Sequence, residues 1–308
     1  HFSTISYNFK HRFGEQTIDD IFYWILNEIE SAGYLDAEAV FLDATHIKAN
    51  AIIKKVIKKE IAQAARTYTA QLLEEVNEDR EKHGKDPFDG DDNPPKEKTV
   101  NTSQTDPDSG IFHKGEHKKC FAYEAHTACD RHGYIMEAMV TAGNVHDSVA
   151  FDELYAKLIR MYPEIQTIVA DAGYKTPWIC KQVMDDKRAL SLPYTRAKGK
   201  KDLFKPADFV YDSYYDCVIC PNNQILHYAT TNREGYREFK SNPDLCENCT
   251  ELNKCTHNKQ HRKIVAKHIW ADYLEQAEDY RYMRKYKQLY ELRKETIERV
   301  FEDAKEKY

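Results

Sequence analysis

Two short runs constrain the fold of this chain more than any other feature. Val40-Phe41-Leu42-Asp43 and Ile168-Val169-Ala170-Asp171 each place apolar side chains on consecutive positions and end in an aspartate. A strand with one wet face would alternate apolar and polar residues. A run apolar throughout suits a strand covered on both faces, as in the centre of an α/β sheet. In open α/β sheets, ligands bind beyond the carboxyl ends of the strands. If the two runs are parallel neighbours, both carboxylates face one crevice.

The remaining pattern supplies the other layers. Ile18, Ile21, Phe22, Ile25 and Ile29 recur at helical spacing, predicting a helix over 15–32. Residues 52–83 read as a charged helix, and 84–112 as a long surface loop rich in Asp, Pro, Gly, Ser and Asn. Phe121, Tyr123, Ala125 and Thr127 alternate in a strand over 119–129, and a second strand covers 134–141. Arg131-His132-Gly133 between them reads as a hairpin turn. Helices are expected over 148–161, capped by His146 and Asp147, and over 176–186, followed by a short strand at 189–193. Residues 197–262 are polar, aromatic and cysteine-bearing, and from about 270 the pattern is one long helix. The expected class is α/β: a mixed sheet flanked by helices, with a helical insert over 52–112 and a cysteine-rich insert later.

Of 308 residues, 41% are hydrophobic, enough for a substantial core. The net charge of −6 excludes a uniformly basic surface, so any contact with phosphate must use local basic patches. Lys198, Lys200 and Lys201, between Arg196 and Lys205, form one such run, read equally well as a phosphate contact or a solvated linker. No apolar run reaches the ~20 residues that cross a bilayer, and no export signal is visible, so a cytoplasmic location is expected. The chain opens on His1 and closes within a helical pattern, and reads as a piece cut at both ends.

Two adjacent carboxylates repel, and one tends to stay protonated. A divalent cation with hard oxygen ligands, Mg²⁺ or Mn²⁺, removes that penalty. Two such ions can activate a nucleophile and stabilise a leaving oxygen in phosphoryl transfer. On the final helix, Leu289, Thr296, Ile297, Val300 and Ala304 share one face, taken as the core. Glu298 lies on the other side with Lys294, Phe301 and Lys305, as a third acid beside basic groups. Taken singly these signals are weak, since an Asp ending a strand is often a turn residue and a helical Glu–Lys pair is usually solvated.

Five of eight cysteines fall between Cys217 and Cys255. Cys217-Val-Ile-Cys220 and Cys246-Glu-Asn-Cys249 have knuckle spacing, and four thiolates so arranged suit a structural, tetrahedral Zn²⁺ in a ribbon-like site. Cys255, His257 and His261 lie close enough to replace one ligand.

The motifs together resemble the DDE-type transposases of bacterial insertion sequences. Asp43-Ala-Thr-His-Ile-Lys-Ala-Asn-Ala looks like their first-acid motif, and Asn144-Val-His-Asp-Ser like their strand-to-helix segment. Asp171-Ala-Gly-Tyr174 is similar to the second-acid motif, and Tyr290, Arg293, Glu298 and Lys305 to the third. Glu298 and Lys305 keep the family's six-residue gap, but four residues separate Arg293 from Glu298 where the family has three. Glu295 is the competing acid; it would place Glu302 rather than a lysine at the seventh position beyond it, which favours Glu298. The resemblance implies a ribonuclease-H-like fold. It implies Asp43, Asp171 and Glu298 as catalytic metal ligands, with Tyr174, Tyr290, Arg293, Lys294 and Lys305 supporting or binding DNA. Residues 1–35 would be the tail of an N-terminal helical region, 36–196 the first part of the catalytic core, 197–265 the cysteine-rich insert and 266–308 the helix completing the core. The implied chemistry is hydrolysis at transposon ends, then attack of the freed 3′ hydroxyl on target DNA. The implied partners are terminal inverted repeats, target DNA and a second copy on paired ends, in the bacterial cytoplasm at the nucleoid. Two other readings are a truncated, inactive DNA-binding relative and a metal-dependent nuclease of the same fold.

Overall fold

The computed structural model describes residues 2–62, 68–90, 97–114, 118–196 and 200–307. Lys198, Asp91 and Asp92 lie outside the described residues. Two helices open the chain, α1 (Phe2–His11) and α2 (Glu15–Ser31). They are followed by β1 (Ala39–Lys48), β2 (Val56–Ala62), α3 (Thr69–Lys82), β3 (Glu97–Ser103), β4 (Gly110–Lys114), β5 (Lys118–Cys129) and β6 (Ile135–Ala142). Next come α4 (Asp147–Met161), β7 (Thr167–Val169), α5 (Pro177–Asp185) and β8 (Ala189–Ser191). The polar region holds β9 (Val210–Asp212), β10 (Cys217–Ile219), β11 (Ile225–Thr231), β12 (Tyr236–Lys240), α6 (Pro243–Glu247), α7 (Leu252–Cys255) and β13 (Ile264–His268). Three helices close the chain: α8 (Ala271–Tyr280), α9 (Arg284–Glu291) and α10 (Ile297–Lys307).

The main sheet is mixed, in the order β4-β5-β1-β7-β8, with β6 also on β5. β1, β7 and β8 are parallel, and β5 runs antiparallel to β1. Val40, Phe41 and Leu42 are all fully buried, as their unbroken apolar run requires. Successive side chains on a strand point to opposite faces, and the two faces have different covers. Val40 and Leu42 join Phe151, Leu154 and Leu158 of α4 and Ile179 and Val183 of α5 in the larger core. Phe41 and Val169 pack on the other face against Ile297, with Leu289, Leu292 and Phe301 around them. Each such side chain contributes roughly 1.5–3 kcal/mol by leaving water. This architecture is compatible with a ribonuclease-H-like fold. The β5–β6 hairpin turns at Gly133, whose φ of 87° is the left-handed conformation that glycine adopts without strain.

Several elements differ from the sequence expectation. β1 does not stop at Asp43 but continues to Lys48, because β5 pairs with it through that residue. The 52–83 stretch holds β2 as well as α3, and the expected loop over 84–112 holds β3 and the start of β4. β2 finds its hydrogen bonds on β3, whose pairing begins at Val56↔Ser103, a partner that local periodicity does not reveal. The polar 197–262 stretch contributes most of a second, five-stranded antiparallel sheet, β13-β12-β11-β10-β9. Its core is Phe209, Val218, Leu226 and Phe239. Asp79 of α3 is buried against this sheet, accepting bonds from Arg237 Nε at 2.8 Å and Thr231 Oγ1 at 2.5 Å. The final helix is three helices. A turn, Leu292–Glu295, and the non-helical Thr296 (φ −113°, ψ −103°) separate α9 from α10 and reset the helical phase. Hence Phe301 packs against the core while Ala304 is exposed. Among the described residues, no helix is long and apolar enough to cross a membrane.

Candidate metal centre

β1 and β7 pair in parallel with Phe41 opposite Val169. Asp43 and Asp171 each lie two residues further on, so both stand at the same level, Asp43 still within β1 and Asp171 just past the end of β7. Asp171 caps a short turn, Ala172–Tyr174, and accepts the Gly173 N–H at 2.8 Å. Asp43 accepts from its neighbour Ala44 N at 2.9 Å and from Arg293 Nη2 at 2.6 Å. Burial pushes the Asp43 carboxyl up to about 6; Arg293 opposes this, and Asp171 and Asp147 add to it. The two sequence-predicted aspartates therefore share one electrostatic environment.

Asp147 belongs to the same group. Of the expected capping pair, His146 caps α4, its side chain accepting from Ser148 N, while Asp147 lies in the first turn. A β-carbon on residue 173 would sit 2.7 Å from Asp147 Oδ2 and 3.0 Å from Asp171 Oδ1. Gly173 is thus the residue type that lets these two carboxylates flank the backbone. Glu124, on β5, is a fourth acid: burial raises its pKa, as do Asp147, Asp171 and Asp43. His46 Nε2 lies 3.4 Å from Glu124 Oε1.

The other sequence-predicted residues are placed as follows. Arg293 is buried, with only 4% of its surface exposed, and holds Asp43. Tyr290 packs beside Ile297, with its hydroxyl 3.5 Å from Arg293 Nη1. Tyr174 is fully buried beside the acids, its phenol pushed far up by burial and by their charge. Glu298, Lys294 and Lys305 are exposed. Ile297, one residue before Glu298, rests on Phe41 and Val169. Glu124 and His126 were missed by sequence reasoning. The signal was present in the second phase of the β5 alternation, where two ionisable groups stand two residues apart between alanines.

The cysteines do not group by knuckle spacing. Cys217 lies in β10, and strand alternation turns it away from the face on which Val218 packs. Cys220 and Cys255 both lie against the cluster containing Val218. Asn222 Nδ2 reaches Cys249 Sγ at 3.5 Å, bringing the β10–β11 turn onto the second knuckle. Burial raises the Cys255 thiol pKa; Lys263 opposes this, and Cys246, Cys220 and Cys249 raise it further. Cys246, Cys220 and Cys249 thus lie near enough to Cys255 to act on it electrostatically, and Cys217 is not among them.

Residues 219–308 match the family model of the transposase DDE domain, which supports a DDE-type transposase. The matched span holds Arg293, Glu298, Cys220, Cys246, Cys249 and Cys255, and none of Asp43, Asp147 or Asp171. No curated protein and no solved structure matches the chain significantly.

Proposed function

We propose that this chain is the catalytic part of a DNA transposase, cutting phosphodiester bonds at transposon ends and joining the freed 3′ end to target DNA. The observation that carries the reading is the matched level of Asp43 and Asp171 on parallel neighbours, near enough for Asp171 to raise the Asp43 pKa. The family match over the C-terminal segment supports it. Asp43, Asp171 and Glu298 are the acids that would hold Mg²⁺ or Mn²⁺. The fit rests on donor chemistry: the carboxylates are hard oxygen ligands, and the Asp43 carboxyl is raised chiefly by burial, with Asp171 adding to it. Glu298 is included because Ile297 seats the first turn of α10 on the sheet face that carries Phe41 and Val169. A bound divalent cation supplies charge neutralisation and a more acidic water at the scissile phosphate.

The remaining roles belong to the protein. Arg293 fixes the orientation of Asp43, and the Gly173 N–H fixes Asp171. Lys294 and Lys305 stand exposed near the same helix to meet DNA phosphates. We read residues 36–196 and 266–308 as the catalytic core and 197–265 as an insert built around the second sheet. A structural Zn²⁺ on Cys220, Cys246, Cys249 and Cys255 would close that insert, with four thiolates leaving no open position.

The test is metal-dependent cleavage of DNA carrying the element's terminal inverted repeats. Asp43→Asn, Asp171→Asn and Glu298→Gln should each abolish cleavage while DNA binding persists, and Glu295→Gln should cleave normally. Full cleavage by any of the first three refutes the assignment, and strand-transfer products separate a transposase from a simple nuclease.

A further inference from the structure

Glu124 and His126 are buried at the same end of the sheet, yet the centre proposed above does not use them. They stand two residues apart on β5 and so point to one face. On β1 their partners are His46 and Ala44, in phase with Leu42 and Val40, so that face is the one covered by α4. Asp43 points to the opposite face. His126 is fully buried, and its Nδ1 has no hydrogen-bond partner among the described residues. That nitrogen is aimed at Asp147 Oδ1, 3.8 Å away, which also lacks a partner. Its other nitrogen, Nε2, lies 2.9 Å from Thr141 Oγ1, a bond it can donate while Nδ1 keeps its lone pair free. Glu124 Oε2 is 4.0 Å from His126 Nε2. One ligand atom from each of Glu124, His126 and Asp147 lies within 4.8 Å of the other two.

A gap of 3.8 Å is too long for a hydrogen bond, and a buried polar atom without a partner costs roughly 1–3 kcal/mol. The same gap suits two donors on one small cation, since metal–nitrogen and metal–oxygen bonds are each about 2.0–2.2 Å. Thr141 on the far ring nitrogen is the kind of contact that fixes the orientation of a metal-binding histidine.

We propose that Glu124, His126 and Asp147 form an additional divalent-cation site on the α4 face of the sheet, selective for a first-row ion such as Zn²⁺ or Fe²⁺, with Mn²⁺ as its paramagnetic probe. Selectivity follows from the imidazole, a ligand that suits Zn²⁺ and Fe²⁺ better than Mg²⁺ or Ca²⁺. Asp147 links the two centres, because its Oδ1 faces His126 while its Oδ2 flanks Gly173 beside Asp171. The site stands whether or not the chain cuts DNA, although its place beside Asp171 deepens the transposase reading.

The experiment is pulsed electron paramagnetic resonance of Mn²⁺ added to the metal-stripped full chain in excess Mg²⁺. Nitrogen-14 coupling to Mn²⁺ should appear in the wild type, vanish in His126→Gln, and survive in His46→Gln and Asp43→Asn. Thr141→Val keeps the ring and removes its orienting partner; it should weaken the nitrogen-coupled Mn²⁺ by roughly 10–100-fold, and it carries the test if His126→Gln does not fold. Absence of nitrogen coupling in the wild type, coupling that persists in His126→Gln, or unchanged affinity in Thr141→Val overturns the proposal. Oxygen-only Mn²⁺ together with metal-dependent cleavage sinks this site alone. Nitrogen-coupled Mn²⁺ in a chain that cannot cleave DNA sinks the transposase reading alone.

Discussion

Arg293→Met combined with Asp43→Asn should show a coupling energy of about 1.5–3 kcal/mol at pH 8. Arg293 sits in the turn between α9 and α10, with Nη2 at 2.6 Å from Asp43 Oδ2. The side chains are 5% and 21% exposed, so solvent screens the pair little. Breaking a buried pair by removing one partner costs about 3–5 kcal/mol when the remaining charge cannot escape. Asp43 can escape in part by taking up a proton, because burial already holds its pKa at about 6. Removing Arg293 takes away the influence that lowers this pKa, so protonation becomes easier and caps the cost near the lower end of that range. The sign with pH follows. At pH 8 the wild-type carboxylate is charged and the pair is at full strength. Near pH 5.5 Asp43 is largely protonated in both proteins, so the loss in Arg293→Met should shrink. Urea unfolding of the four proteins at both pH values measures it, with the midpoint and slope giving the free energy. Coupling below about 0.5 kcal/mol, or a loss that grows toward acid, would mean that this contact does not tie the C-terminal helices to β1.

His268 gives a second pH prediction. Trp270 N–H donates to its Nδ1 at 3.0 Å, and its Nε2 lies 3.1 Å from the Glu234 carbonyl, so both nitrogens are engaged in the neutral ring. Burial holds its pKa down at about 4, against the ordinary 6.5. The unfolded chain takes up this proton first, so stability should fall as pH drops from about 6.5 to 4, by roughly 3 kcal/mol. His268→Gln should flatten that part of the unfolding profile, and an unchanged profile contradicts the assignment. For the cysteines, elemental analysis of single Cys→Ser variants should show zinc lost from Cys220→Ser, Cys246→Ser, Cys249→Ser and Cys255→Ser. Cys217→Ser should keep it; loss there would restore the knuckle pairing that the spacing alone suggests.

What the sequence made legible was whatever depends on a residue's own neighbours. The two apolar runs predicted buried strands, and their parallel Phe41↔Val169 pairing is the condition under which Asp43 and Asp171 come to one level. The glycine of Arg131-His132-Gly133 predicted the hairpin turn, and Gly133 takes a left-handed φ of 87° there. What stayed hidden depends on partners distant in the chain. The end of β1 reads as polar after Asp43, yet β5 extends it to Lys48. The charged stretch containing β2 reads as helix until β3 supplies its hydrogen bonds.

Phase was the second source of difference, and it bears most directly on the site. A single irregular residue, Thr296, shifts every later side chain around the helix, so a face drawn through 289–304 cannot hold across it. Cys217 and Cys220 have ligand spacing in the sequence, but β10 directs them to different surroundings. The same alternation concealed Glu124 and His126: the apolar phase of β5 announces the strand, and the other phase carries the ionisable pair. His146 and Asp147 both read as helix caps, but only His146 makes that bond, and the Asp147 carboxylate interacts with Glu124 and Asp171 instead. In each case residue chemistry was visible and direction was not, because direction is fixed by the strand or helix that packs opposite. The acids at this end of the sheet are therefore better counted by the face each one addresses than by their order in the chain. Asp43 addresses the α10 face, Glu124 and His126 the α4 face, and Asp147 with Asp171 the edge between them.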